Sequence, residues 1–335
     1  MPQVNGVGTT FNLPNYAGEL FTAAPTQTPF LSMIGGLSGG KQTDNFEFPT
    51  GVLYELPDAE QPGISEAASA TAPAASHVAR TQETNVVQIH QEVIDLTYAK
   101  QSNSGRLSGL NTAGQKANPN DEKAFQIQQK LIKIARDIEH SFINGTYQKA
   151  TAADVANKTR GMFELTTSEA GTSIDAATRT GSGESESVTY NPLTKDLLDE
   201  LFLEMAQNGA TFENMVLYCN AYQKQVITNL YADFFKAQMQ MTMQIAGMNI
   251  TQIETDFGKI GICYDPFVRA DGILVADISK IAPVFQPVPG KGNFFEEELA
   301  KSGATDKIQI YGQIGLAHAP AFLHGSIIGL KSSRS

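Results

Sequence analysis

The sequence predicts an α+β protein: an extended N-terminal arm, a long β-hairpin, one long helix, a compact mixed region and closing strands. Three observations predict it. Apolar residues alternate from Asn45 to Tyr98, which is the period of a strand. A stripe at helical spacing runs through residues 121–144. Short helix and strand patterns then mix from Asn191 to Pro289.

The elements follow in order. Glycines and prolines recur through residues 1–50, among them Gly6, Pro14, Pro25 and Gly39, and each breaks helix or strand. One apolar cluster interrupts them, Phe30-Leu31-Ser32-Met33-Ile34 after Pro29, so the segment reads as an arm with a single anchoring knot. Phe46, Phe48, Val52, Tyr54 and Leu56 alternate next. Val87, Ile89 and Val93 do the same, with Ile94, Leu96 and Tyr98 on the opposite face. Pro57 to Ala79 between them is rich in Ala, Ser and Pro, which predicts two long strands joined by a flexible tip. A two-stranded hairpin has no second layer for its apolar face and is marginal alone in water. Its cover must come from elsewhere.

The long helix is predicted over 121–144, with Asn120 as N-cap and Asp121 and Glu122 in the first turn, where the helix dipole favours acids. Ile127, Leu131, Ile134, Ile138 and Phe142 form its stripe, and Asn144-Gly145 stops it. Polar residues 146–190 read as a surface loop. Leu193 to Met205 predicts a helix, Met215–Cys219 a buried strand, and residues 220–235 a second helix. Met239, Met241 and Met243 alternate with polar residues, which suits a half-buried strand or a subunit contact. Lys259–Cys263, Gly272–Val275 and residues 307–330 read as strands.

Composition excludes several classes of function. Among 335 residues, 24 are Lys or Arg and 35 Asp or Glu, a net charge of -11 that argues against general nucleic-acid binding. Cys219 and Cys263 are the two cysteines, too few for a disulfide framework or a four-cysteine zinc site, which suits a reducing cytosol. Met1 to Asn5 lacks the basic and apolar regions of a signal peptide, and no apolar run has the length to cross a bilayer, so no membrane is expected.

No catalytic signature survives inspection. Gly35 to Gln42 nearly spells a phosphate loop, but Gln42 stands where Ser or Thr must hold magnesium. Gly36-Leu37-Ser38-Gly39-Gly40 matches a serine nucleophile elbow without the strand before it or the helix after it. Asp256-Phe257-Gly258 copies a kinase tripeptide with no accompanying loops and reads as a turn. His77, His90, His140, His318 and His324 offer no short metal-binding pair, and Glu296-Glu297-Glu298 reads as a solvated acidic face. The expectation is no catalytic residue, no metal and no cofactor.

Thr26-Gln27-Thr28-Pro29-Phe30-Leu31-Ser32-Met33-Ile34-Gly35 resembles the N-terminal arm of tailed-phage major capsid proteins. The resemblance continues at residues 255–260, at 271–277, and from Tyr311-Gly312 to Leu330, and the order of parts matches along essentially the whole chain. It implies the Hong Kong-97-type fold: arm 1–44, extended loop 45–105, peripheral domain 106–190 with 291–335, and axial domain 191–290. It also implies an icosahedral virion shell of pentamers and hexamers of this chain, made in the bacterial host cytoplasm and enclosing double-stranded DNA without sequence-specific contacts. A separate scaffolding protein, a portal and a decoration protein are the other implied partners. An acidic lining would let packaged DNA slide rather than stick. Some relatives join a loop lysine covalently to a neighbour's asparagine; residues 51–99 contain no lysine, so no such link is expected. Phe30, Leu31, Ile34, Phe46, Phe48, Val52, Tyr54, Val87, Ile89, Val93, Met239, Met241 and Met243 are the candidate assembly contacts. Two other readings stand beside this one. An encapsulin-type cellular compartment would carry a cargo pocket on its inner wall, and a cytosolic hydrolase would lose turnover on Ser38→Ala.

Overall fold

A computed structural model of the chain describes residues 27–54, 59–98, 122–168, 170–180, 187–231, 242–245, 248–301 and 303–333. The predicted cap at Asn120, the Gly-rich stretch 181–186 and the arm before residue 27 lie outside the described residues.

The described residues open with a one-turn helix, α1 (Pro29–Met33), and a two-residue strand, β1 (Lys41–Gln42). β2 (Glu47–Tyr54) and β3 (Arg80–Val86) pair antiparallel as a separate ribbon, whose tip carries one helical turn, α2 (Glu66–Ser69). Ser65 caps that turn, accepting from the Ala68 amide. The return strand then breaks at Val87, and β4 (Gln88–Thr97) leaves the ribbon for another sheet. This corrects the expected two-strand hairpin: Ile94 and Leu96 are core residues, and their burial draws this half of the segment away from β2.

α3 (Glu122–Asn144) is the long helix, about 35 Å at 1.5 Å per residue. Ile134, Ile138 and Phe142 are buried against Ile94, Leu96, Ile310 and Ile314. Leu131, expected in the same stripe, is 38% exposed, because burial is concentrated in the C-terminal half of the helix, where α1 and the strands converge. Residues 146–190 are not simply a surface loop. α4 (Met162–Thr166) is buried, and β5 (Thr172–Asp175) pairs with the chain's last strand. Five apolar-rich residues among polar ones give too short a pattern to stand out. β6 (Thr178–Thr180) and β7 (Ser187–Thr189) form a small hairpin.

The compact region contains α5 (Lys195–Gln207), β8 (Met215–Cys219), α6 (Ala221–Leu230), β9 (Thr242–Ile245), β10 (Met248–Thr255), β11 (Gly258–Tyr264) and β12 (Ile273–Asp277). β13 (Ala282–Phe285), β14 (Phe294–Glu298), β15 (Thr305–Ala317) and β16 (Gly325–Ile328) close the chain. Seven strands form one sheet in the order β5-β16-β12-β8-β11-β10-β9. In the other sheet β15 is central: β4 lies along one side, β14 and β13 along the other, and β1 extends β13 in parallel. These pairings cross the domain boundaries expected from sequence, since β13 joins the C-terminal sheet while β5 and β16 join the compact one.

Alternate residues of the same strands feed two cores. Leu217, Cys219, Ile273 and Val275 meet α5 through Leu198, Leu201 and Phe202. Val216, Tyr218, Leu274 and Ala276 point to the other face, toward α3 and α1. Cys263 belongs to that second core and Cys219 to the first, and both thiols are free. At Gly40 (φ 126°) an added Cβ would lie 2.4 Å from the Pro283 carbonyl oxygen, so glycine is what lets β1 reach β13. The near-phosphate-loop stretch therefore runs into a strand, and Asp256-Phe257 is the turn between β10 and β11.

Candidate assembly surface

The ribbon is rooted by a polar hub. The Asn85 side chain, fully buried at the end of β3, accepts from the amides of Val86 (2.9 Å) and Arg160 (2.8 Å) and donates to the Leu316 carbonyl (2.8 Å). Three segments distant in sequence thus meet on one carboxamide. Phe48 packs beside it with Val87, Val284 and Ala317, its ring seated against Gly315. A β-bulge between Pro49 and Gly51 turns the strand, and Gly51 lies so close to Pro320 that an added Cβ would sit 3.0 Å from the proline ring. Lys149 pairs with Glu47 on the outside of the root. Glu83 faces inward, where burial pushes its carboxyl above the usual range against the pull of Arg160.

Beyond the root the described residues supply no cover. Residues 59–82 are exposed throughout, and Phe46, Val52 and Tyr54 are 55%, 53% and 59% exposed. Ile64 and Val78 add further exposed apolar surface toward the tip. A second exposed area lies on the face of β4 turned away from α3, where Ile89 and Val93 stand out beside Gln313 and Gln309 of β15. On the opposite face of β4, Glu92 accepts hydrogen bonds from Lys130 (2.7 Å) and Lys133 of α3. Burial works to raise the Glu92 pKa, but the two lysines hold it below the usual range.

The predicted contact residues therefore divide. Phe46, Val52, Tyr54, Ile89 and Val93 are exposed, whereas Phe48 and Val87 are buried at the ribbon root. Phe30, Leu31 and Ile34 are also buried, which corrects their reading as surface available to a neighbour. The knot is spent inside its own chain: Phe30 meets Tyr218 edge-on at 5.2 Å, and Glu139 of α3 accepts from both the Phe30 and Leu31 amides. Met239 and Met241 lie outside the described residues, and Met243 is placed in β9 by its backbone alone.

Sequence reasoning missed Asn85, Arg160 and the Glu139–Asp265 contact. Glu139 had a signal, an acid between Ile138 and Phe142 on the apolar side of the helix. Asn85 had none, because its partners are backbone groups brought in from residues 160 and 316.

A model of the SU10 major capsid protein family matches residues 3–331. The chain belongs to that family. The capsid protein's fold is shared by solved structures of low identity. The capsid asymmetric unit of cyanophage A-1(L) matches with a TM-score of 0.59 and 13% identity, over 93% of this chain and 95% of that one. The holo-SrpI encapsulin complex of Synechococcus elongatus gives 0.57 and 12%, over 95% and 94%. The capsid of a native GTA particle gives 0.56 and 11%, over 94% of each chain. A comparison with curated proteins finds no match. Fold likeness alone reaches phage capsids and an encapsulin alike; the family match separates them. The capsid protein has the Hong Kong-97-type fold and is a major capsid protein of tailed phages, the building block of an icosahedral shell.

Proposed function

We propose that copies of the chain are linked into pentamers and hexamers mainly through the β2–β3 ribbon, which lies on an adjacent subunit, with Ile89 and Val93 of β4 forming a second contact. The observation that carries this reading is the ribbon's exposure: residues 59–82 are exposed throughout, with no cover from the described residues beyond the pairing of β2 with β3. The area left open on Phe46, Val52, Tyr54, Ile64 and Val78 is on the order of 500 Å². Covering it is worth on the order of 10 kcal/mol. Association itself costs about 4–15 kcal/mol in lost freedom, so one ribbon holds a neighbour weakly and many together hold a shell. Weak individual contacts let a misplaced subunit leave while the shell grows.

The particle is a container and not a catalyst. It encloses double-stranded DNA without sequence contacts, and its net negative charge repels the polymer so that it slides rather than sticks. Chains are made in the host cytoplasm and assemble around a separate scaffolding protein, with a portal at one vertex and a decoration protein on the outside. Residues 1–44 serve as arm, 45–105 as extended loop, 106–190 with 291–335 as peripheral domain and 191–290 as axial domain, with the pairings of β1, β4, β13 and β16 tying these parts together across their boundaries.

Deleting residues 57–80 tests the central claim. The variant is expected to keep the wild-type unfolding midpoint and to form no closed shells in negative-stain electron microscopy with its scaffold present. Normal shells from the deleted chain would sink the reading.

A further inference from the structure

Two carboxyl groups meet inside the subunit, and the proposed assembly mechanism uses neither. Glu139 is fully buried on α3, and Asp265 is fully buried just after β11. Their side chains are in hydrogen-bond contact. Among the described residues neither has an ion-pair partner. Asp265 Oδ1 accepts from the Phe267 amide at 2.8 Å, whereas the buried Oδ2 receives no hydrogen bond from an amide or hydroxyl. Glu139 gives one oxygen to the Phe30 amide (2.8 Å) and the other to the Leu31 amide (2.7 Å). Those amides open α1, and its N-cap residue, Thr28, makes no side-chain capping bond. Glu139 therefore caps α1 from another element.

Among the described residues no cation acts on either carboxyl to offset two buried negative charges. α1 has no ionisable side chain. β8 contributes Tyr218 and β11 contributes Cys263; burial raises the tyrosine well above its ordinary value and pushes the thiol up to about 12, so both are neutral. Lys224 of α6 acts on the Cys263 side. On α3, Arg136 lies over the Phe267 ring at 5.7 Å, Lys133 and Asp137 face His90, and His140 is exposed. Two carboxylates in contact in a low-dielectric interior cannot both ionise. One proton bridging them satisfies Asp265 Oδ2 and leaves both Glu139 oxygens able to accept from the amides.

We propose that Glu139 and Asp265 share one proton, and that this proton latches residues 29–33 of the arm onto the long helix. Burial raises the Glu139 carboxyl well above its ordinary value, and the neighbouring Asp265 charge raises it further, in accord with a proton held there. Because the docked state binds a proton that the undocked state releases, docking is strongest at low pH and weakens as pH rises past the pair's titration. The latch belongs to the single chain, so its test does not depend on shell formation.

Amide hydrogen exchange on the unassembled full-length chain reads it directly, at Phe30 and Leu31, from pH 5.5 to 9.5 after correction for intrinsic rates. Val275 of β12 serves as internal reference. Protection at 30 and 31 is expected to fall about tenfold per pH unit above the pair's titration while the reference holds. Asp265→Asn places a neutral donor against Glu139 and is expected to keep the arm docked with no pH slope. Glu139→Gln, which also needs no shared proton, is expected to flatten the slope too. A flat wild-type profile, a slope shared by Val275, or a slope that survives in both variants would overturn the latch.

Discussion

Asn85 holds the ribbon root with hydrogen bonds to Val86, Arg160 and Leu316, of which those with Val86 and Leu316 are buried. Replacing it by Ala leaves the Val86 and Arg160 amides and the Leu316 carbonyl short of a partner. The expected cost is about 2–4 kcal/mol, read as a lower denaturant midpoint of the unassembled subunit. His90, His318 and His324 set a second residue-scale property. Burial drives all three down to about 4 from an ordinary 6.5. Each is neutral in the folded chain and charges more readily once unfolded, so the stability it contributes is complete above about pH 6.5 and drains away as pH falls toward 4. Denaturation curves across that window are expected to show uptake of up to three protons on unfolding; a pH-independent midpoint would refute it. The Glu139–Asp265 pair has the opposite sign and acts on the arm alone. Acid loosens the core, and alkali loosens the knot.

Among the elements, α3 was legible because its stripe repeats over several turns. Even so, periodicity named Leu131 as readily as Ile138, and only packing separates them. Ile138→Ala is expected to cost about 2–5 kcal/mol, and Leu131→Ala about 0.5 kcal/mol or less, by chemical denaturation. Equal effects would mean that the helix does not sit as described. The hairpin was half legible. Alternation finds strands but not their partners, so β3 and β4 read as one strand although they lie in different sheets. α4 escaped because five residues carry too little pattern, and β5 because a polar strand is recognised only once β16 pairs with it. The knot was seen as apolar but placed outward, since no local signal says whether cover is intramolecular.

For the whole molecule, the order of parts carried the fold and the family, while the division between own core and subunit contact was invisible. That division depends on which residues the tertiary structure has already used: Phe30 and Phe46 are alike in sequence and opposite in fate. The ribbon, described at 47–54 and 59–86, lies within a stretch that holds no lysine from residue 42 to 99. Shells are therefore expected to be held without a lysine–asparagine link from the loop. Mass spectrometry of denatured particles is expected to show single chains, and ladders of joined subunits would contradict it.

Because β4 finds its place only beside β15, residues 88–97 stay unpaired during synthesis until residues 305–314 have left the ribosome. A fragment released early lacks the strand on which the loop's base is built. Truncated products are thereby expected to stay out of particles, and translation through residue 314 becomes the condition of entry.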